Sequence, residues 1–157
     1  MVFDQTCKSD ASSVKDLVGS AMAALKPHLN DVEIDGGRVR LALTEAATNA
    51  LFHGNLDLEI DMFGGFDEFQ SAAKAREKDT LFNDREVGIR IEIAGSTLTA
   101  EVLDEGHGFQ GCAGAIDEAD FLSENARGLW IIQQSADKVE WDDDGRIIRM
   151  IFEATRH

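Results

Sequence analysis

The spacing of the apolar residues changes along the chain, and this change limits the folds that the sequence can adopt. In the first third, apolar side chains recur at helical spacing, as in Val14, Leu17 and Leu25. From Val87 the spacing becomes two, in VGIRIEI and LTAEVLD. This alternation favours two strands joined by a turn at Ala94-Gly95-Ser96. The sequence therefore predicts helices followed by an antiparallel hairpin.

The same patterns and the turn residues between them divide the chain into elements. Besides the hairpin, the sequence predicts an edge strand over Val2 to Cys7, a helix ending near Pro27, a helix from about Arg38 to His53 stopped by Gly54, a helix over Asp67 to Lys78, a helix over ARGLWIIQQSAD, and a terminal hairpin with its turn at Asp142 to Gly145. This order predicts an α/β two-layer sandwich, with helices on one face of a mixed, mostly antiparallel sheet. The 157 residues are expected to form a single domain with a helical insertion at 56–86.

Charge and cysteine content narrow the class of protein. Fifteen basic residues against thirty acidic ones give a formal net charge of -15, which disfavours binding to nucleic acid. The acidity suits a basic protein partner, or it serves solubility alone. Cys7 and Cys112 form no CxxC pair, so a zinc site is not expected. With neither a signal-peptide core nor a long apolar run, the sequence predicts a soluble cytoplasmic protein without membrane contact.

The stretch LALTEAATNALFHGN places three polar side chains in one row of an otherwise apolar helix. Glu45, Asn49 and His53 are four residues apart and therefore share a stripe along the helix. One interpretation is a solvated polar face. The other is a chemical site, because an amide oxygen can ligate Mg²⁺ and a nearby carboxylate can act as a general base.

Two glycine-containing motifs follow. In DEGHGF, Asp104 comes directly after a predicted strand, and its carboxylate either caps a turn or accepts a hydrogen bond from an exocyclic amine such as that of adenine. In ARGLWII, Arg127 and Gly128 are predicted to open a helix whose free amides, with the arginine, would suit a phosphate. The alternative is a simple loop-to-helix junction, with Leu129 and the following apolar residues in the core.

Taken in order, these motifs resemble one known group of proteins. EAATNALFHGN, LDEGHGF and ARGLWIIQQSADKVEW are similar to the motifs of the GHKL ATPase superfamily, whose nucleotide-binding domain has the Bergerat fold. Within it they closely resemble the bacterial anti-sigma-factor serine/threonine kinases. The resemblance covers about residues 10 to 155.

The resemblance implies a role for each matching residue. Glu45 would be the catalytic base, and Asn49 would hold Mg²⁺ at the nucleotide. The adenine amine would be bound by Asp104, and the remaining cofactor-binding assignments are Gly106, Gly108, Arg127, Gly128 and Leu129. A lid over ATP would span Gln110 to Asn125, whereas His53 and Asn55 would either cap the helix or contact the ligand. Ala126 stands where the family has the first glycine of its second glycine box.

The resemblance also implies an activity and partners. It predicts ATP-dependent phosphorylation of an anti-anti-sigma protein of the STAS type by a kinase that also sequesters a sigma factor, and it predicts a homodimer. The alternative is an ATP-binding module that sequesters its regulator with little or no turnover. A histidine-kinase catalytic domain ranks last, because no phosphoacceptor helix pair is evident.

Overall fold

The computed structural model describes residues 1–58, 63–107 and 124–155. The helices of these residues are α1 (Ala11–Leu29), α2 (Gly36–Asn49), a π-helical turn (Ala50–Asn55), α3 (Phe66–Glu77), α4 (Thr80–Asn83) and α5 (Glu124–Ser135). The strands are β1 (Val2–Lys8), β2 (Glu86–Ala94), β3 (Thr97–Leu103), β4 (Lys138–Asp142) and β5 (Ile147–Glu153), with a 3₁₀ turn at Asp143–Gly145.

The described strands form one five-stranded sheet in the order β1-β2-β3-β5-β4. Every pairing between them is antiparallel, so the described sheet contains no parallel pair. The two predicted hairpins are confirmed, because β2 pairs with β3 and β4 pairs with β5. As predicted, β1 is an edge strand, pairing only with β2 among the described strands.

One face of the sheet is covered by helices, which confirms the predicted α/β sandwich. Inward-facing residues of β2 and β3, such as Ile89, Ile91 and Val102, are at most 1% exposed. Leu25 of α1 and Leu43 of α2 are fully buried in the same core. The apolar face of each helix therefore packs on the alternating apolar residues of the strands.

The other face of the sheet carries charges that alternate in sign from strand to strand. In register, these residues are Asp4 of β1, Arg90 of β2, Glu101 of β3, Arg149 of β5 and Glu140 of β4. We call this row the charge ladder. Opposite charges placed across neighbouring strands stabilise a sheet, so this face needs no covering layer.

Several predicted boundaries differ from the structure. The first helix continues through Pro27 to Leu29, which is buried, so packing extends the helix beyond the predicted stop. The helix predicted over Asp67 to Lys78 is confirmed within one residue at each end as α3. The short helix α4 was not predicted, since none of its side chains is buried and it shows no apolar period. No helix of the described residues is long and apolar enough to cross a membrane.

The end of α2 also departs from the prediction. The helix does not stop at Gly54 but widens after Asn49 into the π-helical turn, in which the Leu56 amide donates to the Leu51 carbonyl at 2.9 Å. Such π-helical turns are rare and are frequent at functional sites. The wider turn ends at Asn55, whose side chain is completely buried.

Candidate functional site

The polar stripe of α2 lies at the border between its buried face and solvent. Asp35 caps the helix by accepting a hydrogen bond from the Gly37 amide at 2.8 Å. Ala46 and Ala47 are buried against the core, whereas Glu45 and Asn49 are half-buried. The apolar face thus fixes the helix on the sheet and leaves the carboxylate and the amide facing a neighbouring helix.

That neighbour is α5, whose Gly128 packs against α2. A Cβ atom built on Gly128 would lie 3.1 Å from Glu45 Oε2 and 3.4 Å from Asn49 Nδ2. Glycine therefore lets α5 come close to both polar groups. The structure brings together three of the residues that the sequence singled out.

The predicted start of this helix is wrong. The helix begins at Glu124, so Gly128 is its fifth residue and Arg127 does not open it. Only the first four amides of an α-helix lack an intrahelical partner, and the amide of Gly128 is not among them. Polar residues form the first turn, which explains why apolar spacing did not reveal it. Close packing, rather than a free amide, explains the glycine at this position.

The carboxylate of Glu45 is held without a cation. Among the described residues it makes no hydrogen bond or ion pair, whereas the neighbouring Thr44 and Thr48 hydroxyls donate to carbonyls of their own helix at 2.7 Å. Burial raises the pKa of Glu45 above its ordinary value. A carboxylate whose proton affinity is raised in this way is suited to accept a proton during a reaction.

The second part of the site lies beside the π-helical turn that follows α2, where β3 ends at Leu103. Here Asp104 accepts a hydrogen bond from the Gly106 amide at 2.9 Å. A Cβ atom on Gly54 would lie 2.5 Å from Asp104 Cγ, and one on Gly106 would lie 2.2 Å from the Gly54 carbonyl oxygen. Glycine at 54 therefore leaves space for the Asp104 carboxylate, and glycine at 106 leaves space for the Gly54 carbonyl. Any larger residue at either position would collide with these groups.

Asp104 is also electrostatically unusual. Burial raises its pKa from 3.8 to about 6, although the hydrogen bond from Gly106 and the charges of Arg146 and Arg85 act in the opposite direction. Arg146 bonds to the Gly106 carbonyl through Nε at 2.9 Å rather than to the carboxylate. Asp104 is therefore a partly buried hydrogen-bond acceptor, and within the described part of the chain no side-chain cation contacts its carboxylate.

His53 and Asn55 make contacts within the protein. The Nδ1 of His53 bonds to the Leu58 carbonyl, and since a carbonyl can only accept, Nδ1 carries the proton. Asn55 bonds to Ser9 and to the Glu105 amide. Sequence reasoning left their roles open, and it missed Ser9 and Arg85, because only the fold brings these distant residues to the end of α2.

The remaining predicted site residues are placed as follows. Arg127 is exposed and makes no side-chain bond within the described residues. Leu129 is buried in the core, as its apolar character predicts, and its assignment to the cofactor stays a prediction. Gly108 and most of the predicted lid, Gln110 to Asn125, lie outside the described residues, whereas Glu124 and Asn125 form the start of α5.

The donor set fits an adenine nucleotide with Mg²⁺. Asp104 packs directly against Gly54, and Gly106 packs against the Gly54 carbonyl. The described residues contain no group of three histidine, cysteine, aspartate or glutamate side chains placed to hold a metal ion by themselves. The assignment of Asn49 as a ligand of Mg²⁺ stays a prediction; at nucleotides this ion is bound mainly by phosphates and water.

Comparisons with known proteins agree with this geometry. No curated protein matches the chain significantly. A family model, described as a histidine kinase-like ATPase domain, matches residues 7–152 and so includes α2, the Asp104 loop and α5. The five-stranded antiparallel sheet with helices packed on one face is consistent with the fold of a GHKL-type domain. The chain belongs to the histidine kinase-like ATPase domain family.

Proposed function

We propose that the protein is an ATP-dependent serine/threonine kinase that acts in partner switching. One observation carries the proposal. The continuous helical segment formed by α2 and the π-helical turn, which we call the ridge, has the Glu45–Asn49 pair at one end. At its other end Gly54 packs on Asp104. Nine residues of helix span about 13 Å. This is the scale of an extended nucleoside triphosphate lying along the ridge.

Each of these residues then has a defined task. Asp104 accepts a hydrogen bond from the exocyclic amine of adenine, and the close packing at Gly54 and Gly106 fixes the position of its carboxylate. Asn49 would hold Mg²⁺ through its amide oxygen, and the metal would neutralise charge at the phosphates. Glu45 accepts the proton of the attacking hydroxyl, for which its raised pKa suits it. Arg127, exposed on the first turns of α5, is available to a phosphate oxygen.

The acceptor is proposed from the sequence resemblance. The motifs EAATNALFHGN and ARGLWIIQQSADKVEW support a place among anti-sigma-factor kinases, whose acceptor is a serine or threonine of a STAS-type protein. The net charge of -15 supports a sigma factor with a basic surface as the second partner. A homodimer is part of the same proposal.

Nucleotide binding is tested first, by thermal unfolding with ATP, ADP and GTP, each with and without Mg²⁺. At about 100 times its dissociation constant, a ligand adds roughly 2.7 kcal/mol to the free energy of unfolding. For a domain of this size, that corresponds to a shift of roughly 5 to 10 °C. We expect the shift with adenine nucleotides alone, enhanced by Mg²⁺ and lost in Asp104→Asn. If saturating ATP shifts neither protein, the nucleotide site is refuted.

Phosphoryl transfer is tested next, with a recombinant STAS-type protein from the same organism as acceptor. We expect phosphoserine or phosphothreonine on the acceptor by mass spectrometry, and its loss in Glu45→Gln while the ATP-induced thermal shift remains. An ATP-dependent complex without phosphate transfer would instead establish a sequestering module. Phosphohistidine on a partner would establish the histidine-kinase alternative.

A further inference from the structure

The most buried polar side chain near the site is Asn55, which the roles above do not use. It is completely buried, and its amide bonds in two directions. Nδ2 donates to Ser9 Oγ at 2.9 Å, and Oδ1 accepts from the Glu105 amide at 2.7 Å. Glu105 follows Asp104 directly, so one buried amide fixes the backbone of the residue beside the adenine-reading carboxylate.

Asn55 is in turn held from the helical segment 63–85, which comprises α3 and α4. Arg85, just after α4, donates to the Asn55 carbonyl at 2.8 Å and to Asp57 Oδ2 at 3.1 Å. From α3, Arg76 donates to the Asp57 carbonyl at 2.8 Å and also to that of Leu56. Two arginines of this segment thus bind the backbone at the exit of the π-helical turn.

The two arginines share a common support. Phe82 of α4 lies under both guanidinium groups, at 4.9 Å from Arg76 and 5.5 Å from Arg85, measured to the ring centroid. Ser9, which accepts from Asn55, also donates to the Arg85 carbonyl at 2.6 Å. The segment 63–85, the start of α1 and the Asp104 loop are therefore joined through Asn55 by a continuous set of hydrogen bonds.

We propose that Asn55 is a positioning residue for the adenine end of the site, and that Arg85 couples the helical segment 63–85 to it. The proposal rests on the proposed nucleotide site. Asn55 touches no ligand; it sets the Glu105 backbone and, through it, the direction of the Asp104 carboxylate. The π-helical turn serves this arrangement, because its extra width directs Asn55 inward while Gly54 packs against Asp104.

The first test measures nucleotide selectivity in Asn55→Ala. Positioning of Asp104 decides between ATP and GTP, so we expect the ratio of their dissociation constants, measured by titration calorimetry, to fall at least tenfold. The control is Leu17→Ala, which removes a buried apolar side chain of α1 and is therefore expected to lower Tm. We expect that variant to keep the wild-type ratio. A ratio in Asn55→Ala within twofold of the wild type, despite a lower Tm, would reduce Asn55 to a structural role.

The second test requires no nucleotide, and it therefore separates this inference from the proposed function. The Arg85 side chain makes no hydrogen bond or ion pair with Glu105 among the described residues, although the adjoining Glu86 amide donates to Glu105 Oε1 at 2.9 Å. We nevertheless expect amide exchange at Glu105 and Gly106 to become at least fivefold faster in Arg85→Met. Arg90→Met is the matched control, because Arg90 lies five residues further along the chain and its one side-chain bond to a described residue is an exposed ion pair with Asp4 at 3.5 Å. Unchanged exchange in Arg85→Met would refute the coupling even if ATP binds, whereas faster exchange in a protein that binds no ATP would refute the proposed function alone.

Discussion

Two groups of carboxylates in this molecule meet opposite surroundings. On the open sheet face, Glu101, Glu140 and Asp142 all lie within 3.3 Å of Arg149. Hydrogen bonds from Lys138 and Arg149 lower the pKa of Glu140. At the candidate site, burial raises the pKa of both Glu45 and Asp104, and no side-chain cation touches either carboxylate among the described residues.

This difference in surroundings distinguishes carboxylates that stabilise the fold from carboxylates that are suited to bind a ligand. A carboxylate beside arginine favours its charged form, and that preference stabilises the folded chain. A carboxylate that is partly buried without a cation makes the folded state less stable at neutral pH. Natural sequences retain such groups mainly where binding or catalysis requires them. The contrast predicts opposite responses to substitution on the two sides of the molecule.

The largest effect on stability is expected at the tight packing of the adenine end. In Gly106→Ala the new Cβ would lie 2.2 Å from the Gly54 carbonyl oxygen, so backbone must move. We expect the free energy of unfolding, from urea denaturation, to fall by about 2–3 kcal/mol. The matched control is Gly19→Ala in α1, where nothing lies within 4 Å, and there we expect a gain of about 0.5–1 kcal/mol. Equal effects of the two variants would contradict the tight packing.

Next in size is the response of Asp104 to pH. Because its folded pKa is about 6 and its ordinary value is 3.8, the folded chain binds more protons between these values. Stability contributed by this group is therefore highest at low pH, falls as pH rises through about 6, and stays low above it. Asp104→Asn should be more stable than the wild type at pH 8 by about 1–2 kcal/mol, after allowance for solvent screening.

This Asp104 prediction is checked by urea denaturation from about pH 4 to 8 without nucleotide, a range that runs from near the ordinary pKa to above the folded pKa. The stability gain of Asp104→Asn should be constant in the upper part of this range and should shrink as the pH falls through about 6 toward 3.8. If Asp104→Asn is less stable than the wild type at pH 8, the carboxylate belongs with the supporting acids, and the comparison fails at its most buried member.

A smaller effect of opposite sign is expected on the charge ladder. Arg149→Met leaves Glu101, Glu140 and Asp142 near one another without their shared cation. We expect a loss of about 1 kcal/mol at low salt, since the network is partly exposed. The loss should diminish at about 0.5 M NaCl, because salt screens the remaining repulsion. Nucleotide affinity should not change, and a change would show that the two groups are coupled through the sheet.

The sequence predicted the strands better than the contacts between elements. Alternation in VGIRIEI and LTAEVLD placed β2 and β3 because each inward side chain is buried. The spacing predicted that Glu45 and Asn49 share one face of a helix, since positions four apart do so whatever surrounds them. Their roles came from the family resemblance and stay predictions. The spacing of apolar residues was therefore sufficient to place strands β2 and β3, because each strand's own pattern determines which side chains face the core.

Features made by several elements could not be predicted in this way. The π-helical turn depends on Gly54 packing against Asp104, fifty residues away in sequence. Asn55 could not be recognised as a bridge, because Ser9 and Glu105 become its neighbours only when β1, α1 and β3 have assembled. The extension of α1 through Pro27 likewise follows from the burial of Leu29, which outweighs the helix-ending preference of proline.

The smallest effect on stability, and the sharpest functional one, is expected at Glu45. Glu45→Gln removes a half-buried charge without changing shape, so we expect the free energy of unfolding to rise by less than about 0.5 kcal/mol at pH 8. Because burial raises the folded pKa, this small gain should disappear as the pH falls and the wild-type carboxyl takes up a proton.

Phosphoryl transfer to the STAS-type acceptor should nevertheless fall by about 10²–10⁴-fold, the usual contribution of a general base. Arg149→Met, measured in the same assay, should keep the wild-type rate despite its larger loss of stability. If Glu45→Gln transfers phosphate at the wild-type rate, Glu45 is not the base, and its raised pKa then reflects only its place beside α5.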